Sequence, residues 1–199
     1  MTARKLILAV ALTVWPSLAT EQAGNQEESL EHAYNAAKAL TPSDIPKVQN
    51  AAEGGDIRQQ VLLGTAYRRG DSVPVDDEKA FYWLRKAADR GSAVAQIEVA
   101  ILYSDGKGVE RNDAEAMRWL RKAANQGNPD AMGFIGTTYE TGQGVPVDVA
   151  EAVKWYRQGA ERGASAAQRF LGDMYATGKG VPQDYTEAAN WYREGRCPG

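Results

Sequence analysis

The chain has 199 residues, with 26 acidic and 23 basic side chains, one histidine and one cysteine, for a formal net charge of −3. That balance disfavours nucleic acid and anionic membrane surfaces, which attract clustered basic charge. A lone cysteine excludes a framework of internal disulfides.

Residues 1–19 read as a secretion leader. Arg4 and Lys5 form a basic head, Leu6 to Trp15 an apolar run, and Ser17 and Ala19 a small-residue exit. The run is too short to anchor stably in a bilayer. The expectation is therefore a periplasmic or secreted protein beginning near Thr20, with no membrane insertion after cleavage. Losing Arg4 and Lys5 takes the net charge from −3 to −5.

Residues 20–54 are expected to form an N-terminal helical cap. Glu28 to Leu40, with Ala33, Ala36, Ala37 and Leu40, has helical spacing. Ser43 to Gly55 resembles the second half of a degraded hairpin, with Ser43 as its cap and Pro46 in its first turn. Both helices are expected to cover the open end of the first full repeat.

From Gly55 the chain repeats every 36 residues. Trp83, Trp119, Trp155 and Trp191 keep this interval, as do Tyr67, Tyr103, Tyr139 and Tyr175, and Gly55, Gly91, Gly127, Gly163 and Gly199. An unbroken period of this length marks stacked supersecondary units. The repeats are bounded as 55–90, 91–126, 127–162 and 163–199.

In the third unit, Asn128 caps a first helix and Pro129 suits its opening position. Ala131, Phe134, Ile135, Thr138 and Tyr139 share one face, and Gly142 stops the helix. Val145 is expected to plug the gap between the paired helices. Asp148 with Glu151 reads as a capping box for the second helix, as do Asn112 with Glu115 and Asp184 with Glu187. Asp76 with Lys79 is a half-made one. Ala152, Trp155, Tyr156, Gly159 and Ala160 form the second apolar face. Alanine and glycine let backbones approach while the aromatics fill wider layers. The expected fold is an all-α, α/α solenoid: a right-handed superhelix of helical hairpins, stabilised mainly by neighbour interfaces.

The repeating unit resembles the Sel1-like repeat, a relative of the tetratricopeptide repeat. The fourth copy meets the pattern through Ala167, Gln168, Leu171, Gly172, Tyr175, Gly178, Gly180, Val181, Asp184, Ala188, Trp191 and Tyr192. The third meets it through Gly136, Tyr139, Gly142, Gly144, Val145, Asp148, Ala152, Trp155 and Tyr156. Ser72 stands where glycine is usual, and Glu110 where proline is usual. The resemblance implies a non-catalytic adaptor or scaffold that binds another protein in the cell envelope. It also implies the alternative of a periplasmic immunity protein that neutralises a secreted toxin. A cysteine-rich branch of the family lacks counterparts here.

Positions where the repeats disagree mark candidate contacts. Gln60, Gln96, Met132 and Gln168 keep a long side chain that could line a concave wall or serve packing. Val61, Ile97, Gly133 and Arg169 have no fixed chemistry. In the column Leu62, Glu98, Phe134, Phe170, the carboxylate is poorly suited to a stacking face. Glu98 is therefore expected at a groove or edge, contacting a partner, solvated or locally paired. The tentative partner-binding set is Gln60, Gln96, Glu98, Met132, Gln168 and Arg169. Arg68 and Arg69 read as an exposed pair favouring a helix end.

An enzyme is the weakest alternative: His32 has no nucleophile at a recognisable spacing, and no metal or cofactor motif is present. The last hairpin has no successor, so the expected monomer could dimerise weakly through that end. Arg196 could instead make it polar, and Cys197 is either incidental or a lock on such a dimer.

Overall fold

The computed structural model describes residues 30–195 and contains ten α-helices and no strand among them. The helices are α1 (Leu30–Ala39), α2 (Ile45–Glu53), α3 (Ile57–Arg69), α4 (Asp77–Asp89) and α5 (Ala93–Asp105). They continue as α6 (Asp113–Asn125), α7 (Pro129–Thr141), α8 (Val149–Glu161), α9 (Ser165–Thr177) and α10 (Tyr185–Glu194). Helices α3 to α9 each have 13 residues. The leader, Arg196 and Cys197 lie outside the described residues.

Each hairpin pairs a first helix (α3, α5, α7, α9) with a second (α4, α6, α8, α10), and each second helix of the first three packs on the next first helix. First helix α3 also touches α5, and α7 touches α9, whereas successive second helices barely meet. The first helices therefore occupy the inner side of the curve.

Local chemistry sets the boundaries. Asp56, Ser92 and Asn128 accept the N–H of Gln59, Ala95 and Ala131 at the starts of α3, α5 and α7. Ala164 supplies no such cap to α9. At the second helices Asp76, Asn112, Asp148 and Asp184 do the same.

The reciprocal half of the expected capping boxes is absent. The N–H of each of these cap residues goes instead to a carbonyl of Tyr67, Tyr103, Tyr139 or Tyr175, closing the loop inside the hairpin. Two of the freed carboxylates pair along their helices, Glu115 with Arg118 and Glu151 with Lys154. Helix α2 also departs from expectation. Its N-cap is Asp44, not Ser43, because the Asp44 carboxylate is tied to the N–H and hydroxyl of Thr41.

Inside a hairpin, close packing depends on one small residue. A methyl on Gly136 would lie 2.6 Å from the Tyr156 ring, and one on Gly172 equally close to Tyr192. Leu84 fills the same place against Gly64. Val109, Val145 and Val181 pack from the loops onto the core. Ser72 adopts φ 64° where the other hairpins carry glycine, and its hydroxyl donates to the Leu40 carbonyl. That bond ties the first loop to the chain entering α2 and offsets the cost of the left-handed backbone.

The two N-terminal helices have different places. Helix α2 covers the first repeat as expected, burying Val48 and Ala52 beside Leu63 and Trp83. Helix α1 does not cover the end. It lies across the inner side: Leu30 joins the core of the second and third hairpins, and its N–H reaches the Asp130 carboxylate at the start of α7.

Candidate protein-binding surface

The inner side carries the columns in which the repeats disagree. Most of the residues expected there as contacts are inaccessible: Gln60, Gln96, Met132, Gln168 and Glu98 are all buried. The glutamines serve the fold. Each sends its Nε2 back eight residues to a carbonyl at the end of the preceding second helix: Gln60 to Ala52 (2.9 Å), Gln96 to Ala88 (3.2 Å) and Gln168 to Ala160 (3.1 Å). Helix ends leave carbonyls without intrahelical partners, and a long amide side chain supplies the donor. Met132 cannot donate and fills the same place as an apolar residue.

Glu98 follows the locally paired alternative, but in the interior rather than at a groove or edge. Its exposure is 0%, and Arg68 Nε stands 2.6 Å from its Oε2. Arg68 also donates to the hydroxyl of Tyr34 in α1 at 2.8 Å and to Glu98 Oε1 at 3.3 Å, so it bridges the two. Burial pushes the Glu98 carboxyl above its ordinary range, against the pull of Arg68 and Tyr34. Burial also raises the Tyr34 phenol. Arg68 is thus a structural partner rather than an exposed helix-end charge. Arg69 remains exposed, pairing with Asp71 and lying 4.9 Å from the Tyr34 ring centroid. A charge taken out of water requires pairing and hydrogen bonds; Arg68 supplies the ion pair and one hydrogen bond, while Glu98 Oε2 and Arg68 Nε make no hydrogen bond besides that pairing.

Helix α1 thus closes the inner side over the first two repeats, where Val61 and Ile97 are buried. Over the third and fourth repeats no described helix lies across the same columns. Phe134 and Phe170 are half-buried, and Arg169 is exposed with its guanidinium 4.9 Å from the Phe170 ring centroid. Phe170 also packs against Tyr156, ring centroids 5.2 Å apart. Of the six residues expected to meet a partner, only Arg169 lies on accessible surface.

A second ladder went unread in the sequence. Arg85, Arg121 and Arg157 each donate from a second helix to the tyrosine hydroxyl of the next repeat: Tyr103 at 3.3 Å, Tyr139 at 3.1 Å and Tyr175 at 2.6 Å. The arginines recur every 36 residues, so the signal was available. Tyr34 had no such signal, because α1 lies outside the repeat register. Among the described residues no group of three His, Cys, Asp or Glu side chains could hold a metal ion.

This geometry defines an α/α solenoid with a partly occupied inner groove. The Sel1 repeat matches residues 60–92, 93–128, 129–163 and 165–195, and the chain belongs to that family. Sel1 repeat proteins are generally non-catalytic scaffolds that mediate protein–protein interaction.

Similar structures include c5321, a protective antigen of uropathogenic Escherichia coli with an SLR fold. It is 38% identical with a TM-score of 0.67, covering 75% of this chain and 32% of its own. This chain therefore spans about a third of that protein's length. A Sel1 repeat protein of Oxalobacter formigenes is 33% identical with a TM-score of 0.66, covering 78% and 69%. Immunity protein Pa5087 of Pseudomonas aeruginosa shares the fold at 22% identity and a TM-score of 0.60, covering 83% and 64%. No curated protein matches the sequence.

Proposed function

We propose that this protein is a non-catalytic adaptor or regulator of the cell envelope that holds a protein partner on the inner side of its solenoid. The observation that carries this reading is the pair of half-buried aromatics Phe134 and Phe170, with Arg169 over the Phe170 ring, on the third and fourth repeats. Aromatic side chains and arginine contribute most to protein interfaces, through large area with little ordering cost. Capture of one partner from envelope extract should be lost in the Phe170→Ala, Arg169→Glu variant while helicity is retained. Undiminished capture would move the site to the outer side or an end.

Placement in the envelope rests on the leader, and the test is the mature N-terminus. Mass spectrometry of the native protein should find it near Thr20, and a chain retaining Met1 would reverse the assignment. The proposed state is a monomer, with weak dimerisation through the C-terminal end as the alternative. Trp191 and Tyr192 are only half-buried there, whereas Trp119 and Tyr156 are fully buried. Light scattering with and without reductant distinguishes the two.

A second reading is an immunity protein of the periplasm. The acidic balance, −5 after the leader, favours it, since it would speed encounter with a basic toxin. Its test is inhibition of a secreted lipase, nuclease or peptidoglycan hydrolase encoded next door. Failure to bind or inhibit that neighbour would remove it.

A further inference from the structure

We infer that α1 is a resident, displaceable occupant of a helix-binding groove, and that the groove's external ligand is an amphipathic helix of a partner protein. This deepens the protein-binding reading and rests on it. The occupied groove reveals what it accepts. Leu30 joins the apolar core that also holds Val61, Val94, Ile97 and Met132. One turn later the Tyr34 hydroxyl accepts from Arg68, which is paired with Glu98. An apolar anchor followed four residues on by a hydrogen-bonding side chain is how an amphipathic helix reads a groove.

The fit of α1 is incomplete. Among its ten residues only Leu30 and Ala37 are buried. Beside Tyr34 its packing side offers only Ala33 and Ala36, and next to these an open crevice of about 240 Å³ remains, with Val61, Leu62 and Val94 as its apolar wall and Arg58, Gln59 and Ser92 as its polar one. An apolar wall left uncovered forfeits contact energy. A helix with larger apolar residues in place of the two alanines would gain that contact while keeping the anchor and the polar contact with Arg68. The five-residue link from Leu40 to Asp44 leaves α1 joined to the solenoid when it is displaced. Burial of Glu98 then explains why the groove carries an occupant: uncovered, the pair with Arg68 would sit in an apolar trough without its third member.

The test uses the full chain and two labelled synthetic peptides spanning 29–40. One has the native sequence, and the other carries Ala33→Leu and Ala36→Leu. In fluorescence anisotropy the leucine peptide should bind at least about tenfold more tightly than the native peptide, a difference of about 1.4 kcal/mol. On its addition, amide hydrogen exchange within α1 should accelerate at least about tenfold while α5 and α6 stay protected. Equal affinities, or binding without release of α1, would overturn the inference.

A second measurement does not depend on peptide in trans. The same two leucines placed in the chain's own α1 should raise the melting temperature and abolish peptide binding. A lowered melting temperature would show that the crevice cannot accept them. If α1 proves fixed while a partner is still captured through Phe170 and Arg169, the protein-binding reading stands and this one falls.

Discussion

The two halves of the inner side are built from the same columns, yet they have opposite surfaces. Over the first and second repeats, Leu62 borders the crevice beside α1 and Glu98 is buried, its carboxylate paired with Arg68, which also holds Tyr34. Over the third and fourth, the same column is Phe134 and Phe170, half-buried with no described helix across them. A repeat scaffold fixes where a side chain points, while the occupant of the groove decides whether that side chain is core or surface. A substitution in one column therefore has a different consequence in each half.

The largest expected contrast comes from that column. Glu98→Ala leaves Arg68 without its carboxylate and should cost about 3–5 kcal/mol, the usual penalty for breaking a buried pair. Phe170→Ala removes a half-exposed ring, and should cost well under the roughly 3–5 kcal/mol of a fully buried phenylalanine. Urea unfolding with unchanged m-values measures both. Equal costs would mean that α1 does not seal the first half.

The hairpin interiors provide a smaller contrast. Gly136→Ala places a methyl 2.6 Å from the Tyr156 ring and should cost about 1–3 kcal/mol through overpacking. The second repeat already has Ala100 at this position, opposite Leu120 in the repeat register rather than a tyrosine. A Gly136→Ala, Tyr156→Leu double variant should therefore recover most of the loss. No recovery would place the strain elsewhere.

Acid titration separates Glu98 from Glu140 by the sign of a slope, bounded at about 1.4 kcal/mol per pH unit for one proton. Glu98 has its folded pKa raised above 4.5 by burial, against Arg68, Tyr34 and Arg69. The folded state therefore holds the proton more tightly, and this contribution to stability is lost as pH rises from 4.5 through the folded value. Burial also pushes Glu140 up, but hydrogen bonds from Lys179 and Tyr156 bring its carboxyl below 4.5. Its contribution is present above 4.5 and lost as pH falls through the lower value. Stability measured against pH should flatten above 4.5 in Glu98→Gln, and below 4.5 in Glu140→Gln. The reverse pattern would contradict the pairing described.

Much of the solenoid was legible because its signals recur. Tryptophan, tyrosine and glycine at one interval fixed the hairpins, and Asn128, Pro129 and Gly142 marked the ends of α7. The candidate surface was legible only in part. Variation between repeats singles out the columns of Glu98 and Arg169, but variation does not distinguish exposure from burial under a foreign helix. The position of α1 depends on contacts from Tyr34 to Arg68 and from Leu30 to Asp130, long-range pairs with no counterpart in other repeats. Of the two readings open for the glutamine column, the packing role holds and the groove wall does not. A conserved long polar side chain suits a groove wall and a helix-end donor equally, and only the carbonyl of Ala52, Ala88 or Ala160 within reach decides between them.

The central claim is that α1 lies in the groove with Tyr34 joined to Glu98 through Arg68. A double-mutant cycle of Tyr34→Phe and Glu98→Gln, read by urea unfolding, tests it most directly. Residues in one buried network couple by about 0.5–3 kcal/mol, whereas distant, independent sites add within about 0.3–0.5 kcal/mol. The structure predicts a coupling of at least about 1 kcal/mol. Strict additivity of the two substitutions would contradict it and place α1 away from the inner side.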